Sequence, residues 1–236
     1  MFPWLAFGHL TPFLELSKQI TQKGHKISFI STSKNIDRLP KLPPHLASSI
    51  TFVKLPLPYV DNLPKNAEAT SDLTPHDVCY LKKSYDCLRE PLSEFLESSL
   101  PDFILFDFVS YWVPDIARKL QILSVYFSIF LASTLCYLSS GNSRDHHKHV
   151  EDYIVAPNWV PFPSKVAHRL FEVLRVFNGT KITVDEFTIP EYNKRFQDSM
   201  NNCDLIAVRT CQVFEPEWLK LAEHLPNFPL TKICNF

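Results

Sequence analysis

The sequence predicts an α/β domain built on a doubly wound parallel sheet. Short apolar runs alternate along the chain with stretches in which apolar residues recur at helical spacing. This alternation favours right-handed strand–helix–strand crossovers, which give a mostly parallel sheet covered by helices on both faces. The chain has 236 residues and is 45% hydrophobic, which suits one large domain with a substantial core.

The candidate strands are short apolar runs bounded by loop-forming residues. In chain order they cover residues 1–5, 26–31, 50–55, 103–108, 125–128 and 205–208. The first run is so short that we expect only the remnant of a strand at the start of the chain. The others are long enough to pair side by side in one sheet.

Helices are predicted between these runs. The first opens at Thr11, with the threonine as its cap and Pro12 in its first turn, and it stops near Gly24. A second opens at Thr74 and continues to Leu96, because its apolar residues recur at helical spacing. Further helices are predicted over residues 111–120, 163–177, 190–200 and 215–224.

Charge and glycine content exclude two classes of function. The formal net charge is -1, and lysine and arginine are spread evenly, so the chain lacks the basic surface that nucleic acid requires. Only four glycines occur, and neither a G-x-G-x-x-G nor a Walker loop can be written from them. We therefore expect no nucleic-acid partner and no nucleotide cofactor held by such a loop.

Metal and targeting signals are also weak. The cysteines form no C-x-x-C pair. Asp145, His146, His147 and His149 lie close together, but neighbouring positions rarely point towards one ion, so we expect no metal. The chain shows no secretory signal, and polar residues interrupt the apolar stretch 120–138. These features predict a cytoplasmic protein with free thiols and no membrane insertion.

Two side chains at the carboxyl ends of strands carry the candidate chemistry. His9 follows the first strand and Asp107 closes the fourth, and open α/β sheets bind ligands beyond this edge. Because His9 lies just before a helix start, the positive end of the helix favours a neutral imidazole, which can act as a general base. Asp107 would orient that ring and stabilise it once protonated.

The sequence leaves two simpler alternatives open for this pair. A lone histidine in a strand–helix loop is often a surface residue, and Asp107 could simply cap a turn. No serine or cysteine of a nucleophile-elbow motif is present, so the proton that His9 would take belongs to a substrate.

Several long motifs resemble those of plant family 1 UDP-glycosyltransferases. They are residues 2–12 (FPWLAFGHLTP, with a Gly-His-x-x-Pro core), 101–108 (PDFILFDF), 158–163 (NWVPFP) and 209–218 (RTCQVFEPEW). The resemblance runs from Met1 to about Glu223. Within the family the chain is most similar to members that glycosylate an already glycosylated acceptor, such as the UDP-rhamnose:rhamnosyltransferases of flavonoid and terpenoid glycosides.

This resemblance implies the N-terminal, Rossmann-like, acceptor-binding domain of a GT-B type glycosyltransferase. It implies that His9 is the catalytic base, that Asp107 is its orienting partner, and that the reaction is inverting transfer of a sugar from a UDP-sugar to an acceptor hydroxyl. Phe108, Trp112 and Phe130 are expected to line an apolar acceptor pocket. For each of these three aromatic residues, packing in the core is an alternative at least as well founded as the pocket.

The chain also departs from the family pattern. We expect residues 1–224 to form the acceptor-binding domain and residues 225–236 to be a divergent tail, because the box that marks the donor-binding domain is absent. Family members also carry several residues before the segment that begins at Met1. The expectation is a chain that is inactive unless a second polypeptide supplies the donor-binding half. A non-catalytic acceptor-binding module and a non-functional truncated product are the alternatives.

Overall fold

A computed structural model describes residues 1–139, 149–179, 189–224 and 234–235. Its strands are all parallel to their neighbours. They are β1 (Ile27–Thr32), β2 (Ile50–Leu55), β3 (Phe103–Phe106), β4 (Leu123–Ser128), β5 (Leu205–Val208) and β6 (Cys234–Asn235). In the described residues β1 pairs with β2, and a second sheet has the order β3-β4-β5-β6.

Helices follow the strands along the chain. They are α1 (Phe7–Gln22), α2 (Ser33–Asp37), α3 (Val78–Asp86), α4 (Arg89–Ser99), α5 (Val113–Lys119), α6 (Ala132–Ser139), α7 (Val150–Tyr153), α8 (Leu170–Gly179), α9 (Ile189–Asn202) and α10 (Pro216–Glu223). Two 3₁₀ turns cover Thr70–Asp72 and Phe108–Ser110. Within the described part of the chain, none of the helices combines the length and the apolar character that crossing a bilayer requires.

The first two residues lie between the two sheets. The Phe2 amide donates to the Leu105 carbonyl at 2.8 Å, and Phe2 forms a parallel bridge with Phe106. On the other side, the Met1 amine donates to the Ser28 carbonyl at 2.9 Å, and the Met1 carbonyl accepts from Ile30 at 2.9 Å. The predicted strand remnant is therefore real but reduced to these two residues, which join β1 to β3.

Side chains alternate between two buried layers, as expected of a parallel sheet covered on both faces. In β4, for example, Tyr126 packs into the larger core cluster, whereas Val125 and Phe127 pack into the cluster that also holds Leu10 and Phe13 of α1. The larger cluster contains apolar residues from α3, α4, α5, α6, α9 and α10. The predicted doubly wound arrangement is confirmed by this alternation.

The first helix begins four residues before its predicted start at Thr11. The amides of His9 and Leu10 both donate to the carbonyl of Ala6 at 2.8 Å, so the first turn forms on Phe7–Leu10. Pro12 consequently lies inside the helix, where it cannot donate to a preceding carbonyl. As a result His9 lies within the first helical turn instead of in the loop before it.

The second predicted helix is divided into α3 and α4. Pro91 has no amide hydrogen, so it cannot donate to the carbonyl of Cys87, and the helix breaks there. The start also moves from Thr74 to Val78, since the Thr74 hydroxyl instead donates to the Asp77 carboxylate at 2.7 Å. The predicted helix over 163–177 starts later as well, at Leu170.

The buried Met1 amino group makes stability depend on pH. Burial lowers its pKa from 8.0 to about 5. Between these values the unfolded chain binds a proton at this amine and the folded chain does not, so the free energy of unfolding rises with pH, by up to about 1.4 kcal/mol per pH unit.

We therefore predict that the chain beginning at Met1 becomes more stable as the pH is raised from about 5 to 8. Urea denaturation at several pH values in this window measures the slope. The matched control is the Nα-acetylated chain, which has no amine to titrate and should lose this part of the slope. Identical slopes for the two forms would contradict the assignment.

Candidate functional site

His9 and Asp107 meet at the carboxyl edge of the sheet. His9 lies in the first turn of α1, and Asp107 directly follows β3. Although 98 residues separate them in the sequence, the Nδ1 atom of His9 and the Oδ2 atom of Asp107 are 2.7 Å apart. The parallel pairing of Phe2 with Phe106 explains the approach, because it aligns the two segments that lead to this edge.

The Asp107 carboxylate is almost fully buried, with 1% of the residue exposed. Its Oδ2 atom also accepts from the Trp4 amide at 3.3 Å, and its Oδ1 atom accepts from the Phe108 amide at 2.8 Å. The hydrogen bonds to both oxygens offset the cost of burying a charged group. Asp107 therefore caps the turn Phe108–Ser110, the simpler role that the sequence left open, and contacts His9 at the same time.

The contact with Asp107 determines how the His9 ring can act. A carboxylate only accepts hydrogen bonds, so the Nδ1 atom of the neutral ring carries the hydrogen and the Nε2 atom keeps its lone pair. No hydrogen bond to Nε2 occurs among the described residues, and 14% of the His9 side chain remains exposed. The ring is thus oriented on one side and open to a proton on the other.

Two of the three predicted pocket residues lie beside this ring. The His9 ring centroid is 5.9 Å from that of Phe108 and 6.2 Å from that of Phe130. Phe108 is buried, whereas Phe130 is only partly buried and belongs to the turn after β4. Phe196 of α9 packs against the Phe108 and Phe130 rings, with centroids 6.2 and 6.3 Å away. The surroundings of His9 are therefore aromatic and apolar.

Trp112 has a different environment. It is buried, its ring packs against Phe2 and Tyr85 at 5.9 and 6.3 Å, and its indole N–H donates to Asp86 at 3.1 Å. Among the described residues no ring contact joins Trp112 to His9. These are core contacts, and the role of Trp112 in an acceptor pocket stays a prediction.

An ion pair that the sequence analysis missed holds the segment after Asp107. The Arg195 guanidinium of α9 contacts both carboxylate oxygens of Asp86, at 2.8 and 2.6 Å, and donates to the Val109 carbonyl at 3.1 Å. The Ser199 hydroxyl, one turn later, donates to the Phe108 carbonyl at 2.9 Å. No local sequence pattern indicates this ion pair, because 109 residues separate Arg195 from Asp86.

A second missed residue fixes the turn that carries Phe130. The buried Glu215 carboxylate accepts from the amides of Ala132 and Ser133 at 2.9 and 3.2 Å, and from the Ser133 and Thr210 hydroxyls at 2.6 and 2.7 Å. It thus satisfies free amides at the start of α6, where a negative charge is favoured. The sequence predicts only that Glu215 begins the last helix.

Most of the histidine and aspartate cluster named in the sequence cannot be placed. Asp145, His146 and His147 lie outside the described residues. Within the residues that are described, no group of three histidine, cysteine or acidic side chains is arranged to hold an ion.

The geometry defines an α/β domain of the Rossmann type with an aspartate-oriented histidine at the carboxyl edge of its sheet. Several known proteins are similar to this chain in sequence. UDP-glycosyltransferase 91A1 of Arabidopsis thaliana is 47% identical over 99% of this chain and 50% of its own length. Soyasaponin III rhamnosyltransferase of Glycine max is 38% identical over 93% of this chain and 46% of its own length. No protein-family model matches. The chain spans about half the length of the curated relatives it matches.

Solved structures agree on the fold. Arabidopsis thaliana UGT89C1 complexed with UDP-L-rhamnose superimposes with a TM-score of 0.69 at 18% identity, covering 99% of this chain and 50% of that one. The structure of the same enzyme complexed with quercetin superimposes with a TM-score of 0.69 at 18% identity, covering 99% of this chain and 48% of that one. At this identity the similarity shows the fold alone. The predicted N-terminal Rossmann-like domain of a GT-B type glycosyltransferase and the resemblance to plant UDP-glycosyltransferases are confirmed, and the sequence similarity extends along nearly all of this chain.

Removing the ion pair between Arg195 and Asp86 should destabilise the domain. We predict that Arg195→Met lowers the free energy of unfolding by about 3 kcal/mol, because it removes the buried guanidinium that pairs with the partly buried Asp86 carboxylate, which keeps the Trp112 indole N–H as a donor. The control is Arg118→Met, which removes an exposed ion pair with Asp115 and should cost less than about 1 kcal/mol. Urea denaturation measures both, and equal losses would mean that the ion pair between Arg195 and Asp86 is no more than a surface pair.

Proposed function

We propose that this chain forms the acceptor-binding domain, residues 1–224, of a glycosyltransferase that moves a sugar from a UDP-sugar to a hydroxyl group of a small acceptor. The observation that carries the proposal is the 2.7 Å contact between His9 Nδ1 and Asp107 Oδ2, which leaves Nε2 open to a proton. The homology to plant UDP-glycosyltransferases supports the same reaction class.

In this mechanism His9 is the general base. An acceptor hydroxyl donates to His9 Nε2, and its oxygen attacks the anomeric carbon of the sugar as the proton moves to the ring. The new carbon–oxygen bond forms on the face opposite to UDP. The bond to UDP breaks, and UDP leaves with the electron pair, so the anomeric configuration inverts. The Asp107 carboxylate stabilises the imidazolium that results.

The acceptor is expected to be lipophilic or already glycosylated. Phe108 and Phe130 lie within about 6 Å of the His9 ring and provide an apolar surface on which a planar or polycyclic acceptor could pack. The names of two similar proteins fit this class, since one is a soyasaponin III rhamnosyltransferase and the other was solved with quercetin. A cytoplasmic location stays a prediction from the sequence.

The donor is proposed to require polypeptide beyond this sequence. The chain has four glycines and offers no glycine-rich phosphate loop, and it spans about half of each relative. We therefore propose that it binds an acceptor alone but transfers sugar only when a donor-binding domain is supplied.

His9→Ala should abolish transfer in a hybrid enzyme. The hybrid joins this chain to the part of UDP-glycosyltransferase 91A1 that lies outside the matched 235 residues. We expect the substitution to lower kcat at least about 100-fold, because general-base catalysis is lost. His45→Ala, at an exposed position away from the site, should leave kcat unchanged. Equal activity in the His9 variant would overturn the role of the base, and a hybrid that binds acceptor without turnover would favour a binding module.

Asp107→Asn tests the orienting role separately. The amide can still accept from Phe108, but its NH₂ group would donate to His9 Nδ1 and move the ring hydrogen to Nε2, the tautomer that cannot take a proton there. We expect kcat in the hybrid to fall by about 10²–10⁴-fold while the acceptor KM changes little. A fall in acceptor binding with kcat retained would show instead that Asp107 only supports the loop.

A further inference from the structure

The turn that carries Phe130 is fixed to the end of β4 by a serine. The Ser128 hydroxyl accepts from the Phe130 amide at 3.2 Å and donates to the Phe130 carbonyl at 3.3 Å. Ser128 is buried, and its backbone carbonyl accepts from the amide of Arg209, the residue that follows β5, at 3.0 Å. The strand side of this turn is therefore tied to two neighbouring strands, β4 and β5.

On the helix side of the same turn, the Glu215 carboxylate fixes the start of α6. Its two oxygens accept from the amides of Ala132 and Ser133 and from the hydroxyls of Ser133 and Thr210. Thr210 lies two residues after β5 ends, just as Phe130 lies two residues after β4 ends. One buried carboxylate thus connects the segments that leave two adjacent strands, and it fixes the backbone directly beyond the turn that carries Phe130.

The charge of Glu215 interacts with α6 as a whole. Glu215 is 6% exposed, and the first amides of a helix carry a partial positive charge that stabilises a carboxylate beside them. The pKa of the Cys136 thiol, further along α6, is raised to about 12, first by burial and then by the negative charge of Glu215. A neutral side chain at this position would therefore lose part of the interaction with α6 even if its shape were unchanged.

Phe130 connects this turn with the candidate site. Its ring lies edge-on to the His9 imidazole, with centroids 6.2 Å apart and an angle of 85° between the two planes. The same ring is 5.9 Å from that of Phe108 and 6.3 Å from that of Phe196. A phenyl ring is held by packing, so its position depends on these contacts and on the backbone on either side of it.

We propose that Glu215 is a positioning residue for the acceptor site. By fixing the start of α6, its carboxylate determines where the Phe130 ring lies beside the His9 imidazole. This role rests on the proposed function, in which Phe130 is part of the apolar surface that an acceptor contacts. Glu215 takes no part in the proton transfer, because Asp107 orients the ring that accepts the proton. Loss of the Glu215 charge should therefore weaken acceptor binding more than it slows the chemical step.

Glu215→Gln removes the charge and keeps the shape of the side chain. One carboxylate oxygen becomes an NH₂ group, which only donates hydrogen bonds. The hydroxyl beside that group, of Ser133 or Thr210, can turn to accept from it, whereas the backbone amide on the same side loses its acceptor. Either orientation of the glutamine thus leaves one amide at the start of α6 unpaired in a buried position. We expect the turn that carries Phe130 to be less firmly fixed while the surrounding core stays packed.

NMR of the histidine rings measures this effect without any acceptor. The ring current of Phe130 contributes to the chemical shifts of the His9 ring protons, because the two ring centroids are 6.2 Å apart. Comparison with His9→Ala assigns these signals. Glu215→Gln should move them in the otherwise unchanged chain and should not move them in the Phe130→Leu variant. Equal movement in both backgrounds, or none in either, would overturn the proposal, since Glu215 would then not act through Phe130.

The acceptor kinetics of the hybrid enzyme provide a second measurement, with quercetin as the acceptor probe. We expect Glu215→Gln to raise the acceptor KM about 10-fold, which corresponds to about 1.4 kcal/mol, and to change kcat less than about 2-fold. Glu217→Gln is the matched control, because this carboxylate lies on the same helix, α10, and is exposed. It should leave both constants unchanged. A fall in kcat at constant KM, or equal effects of the two substitutions, would contradict a positioning role.

The remaining outcomes separate this role from the proposed function. If Glu215→Gln does not fold, Thr210→Val replaces it, because it removes only the hydroxyl that donates to Glu215 at 2.7 Å. Its KM should rise about 3-fold with kcat retained, and an unchanged KM would overturn the role of Glu215. Activity retained by the His9→Ala hybrid would defeat the proposed function. An inactive His9→Ala hybrid beside an unaffected Glu215→Gln hybrid would defeat the positioning role alone. The NMR comparison decides for a hybrid that does not glycosylate quercetin.

Discussion

The pairing of two residues, Met1 and Phe2, with strands on both sides is the contact on which the rest of this domain depends. Without it, β1 and β2 would form one sheet and β3 to β6 another, with no backbone hydrogen bond described between them. The pairing of Phe2 also positions the His9–Asp107 site. Because Phe2 runs parallel to Phe106, the residues that follow each of them emerge at the same edge, and His9 meets Asp107 there.

The buried carboxylate at that edge imposes a second constraint. Asp107 has to satisfy both oxygens where water is excluded, and it does so with backbone amides of two neighbouring segments as well as with His9. The same hydrogen bonds therefore serve stability and chemistry. An arrangement of this kind ties the orientation of the imidazole to the fold itself, since the ring cannot turn without leaving Oδ2 with the Trp4 amide alone.

Much of this fold could be predicted from local pattern. The runs over β2 and β5 have the observed bounds, because short apolar segments between loop-forming residues leave little choice of strand ends. His9 and Asp107 could be singled out from their positions after strands. The predicted start of the first helix was wrong. Thr11 and Pro12 resemble a helix start, but the amides of His9 and Leu10 already donate to the Ala6 carbonyl, so the helix begins at Phe7.

Contacts between distant parts of the chain could not be predicted in this way. Arg195 and Asp86 look like ordinary surface charges in the sequence, and only the packing of α9 against the turn after Asp107 brings them together. Glu215 is a second example, because the α6 amides that it accepts from begin at Ala132, 83 residues earlier in the chain. Such pairs depend on tertiary geometry, which no spacing within a single segment encodes.

The two edges of the sheet differ in what they require from the chain. At the carboxyl edge, polar groups are paired within the domain, and the open Nε2 atom of His9 faces a site bordered by Phe108 and Phe130. At the amino edge, backbone groups and apolar side chains border a cavity, and the Met1 amine is buried beside it. Hydrogen bonds within the domain thus hold the candidate site, whereas β1 and β3 do not pair at the amino edge in the described residues. Because the strand that begins at Met1 also aligns His9 with Asp107, any change that strengthens the pairing at the amino edge should hold the imidazole more firmly at the other.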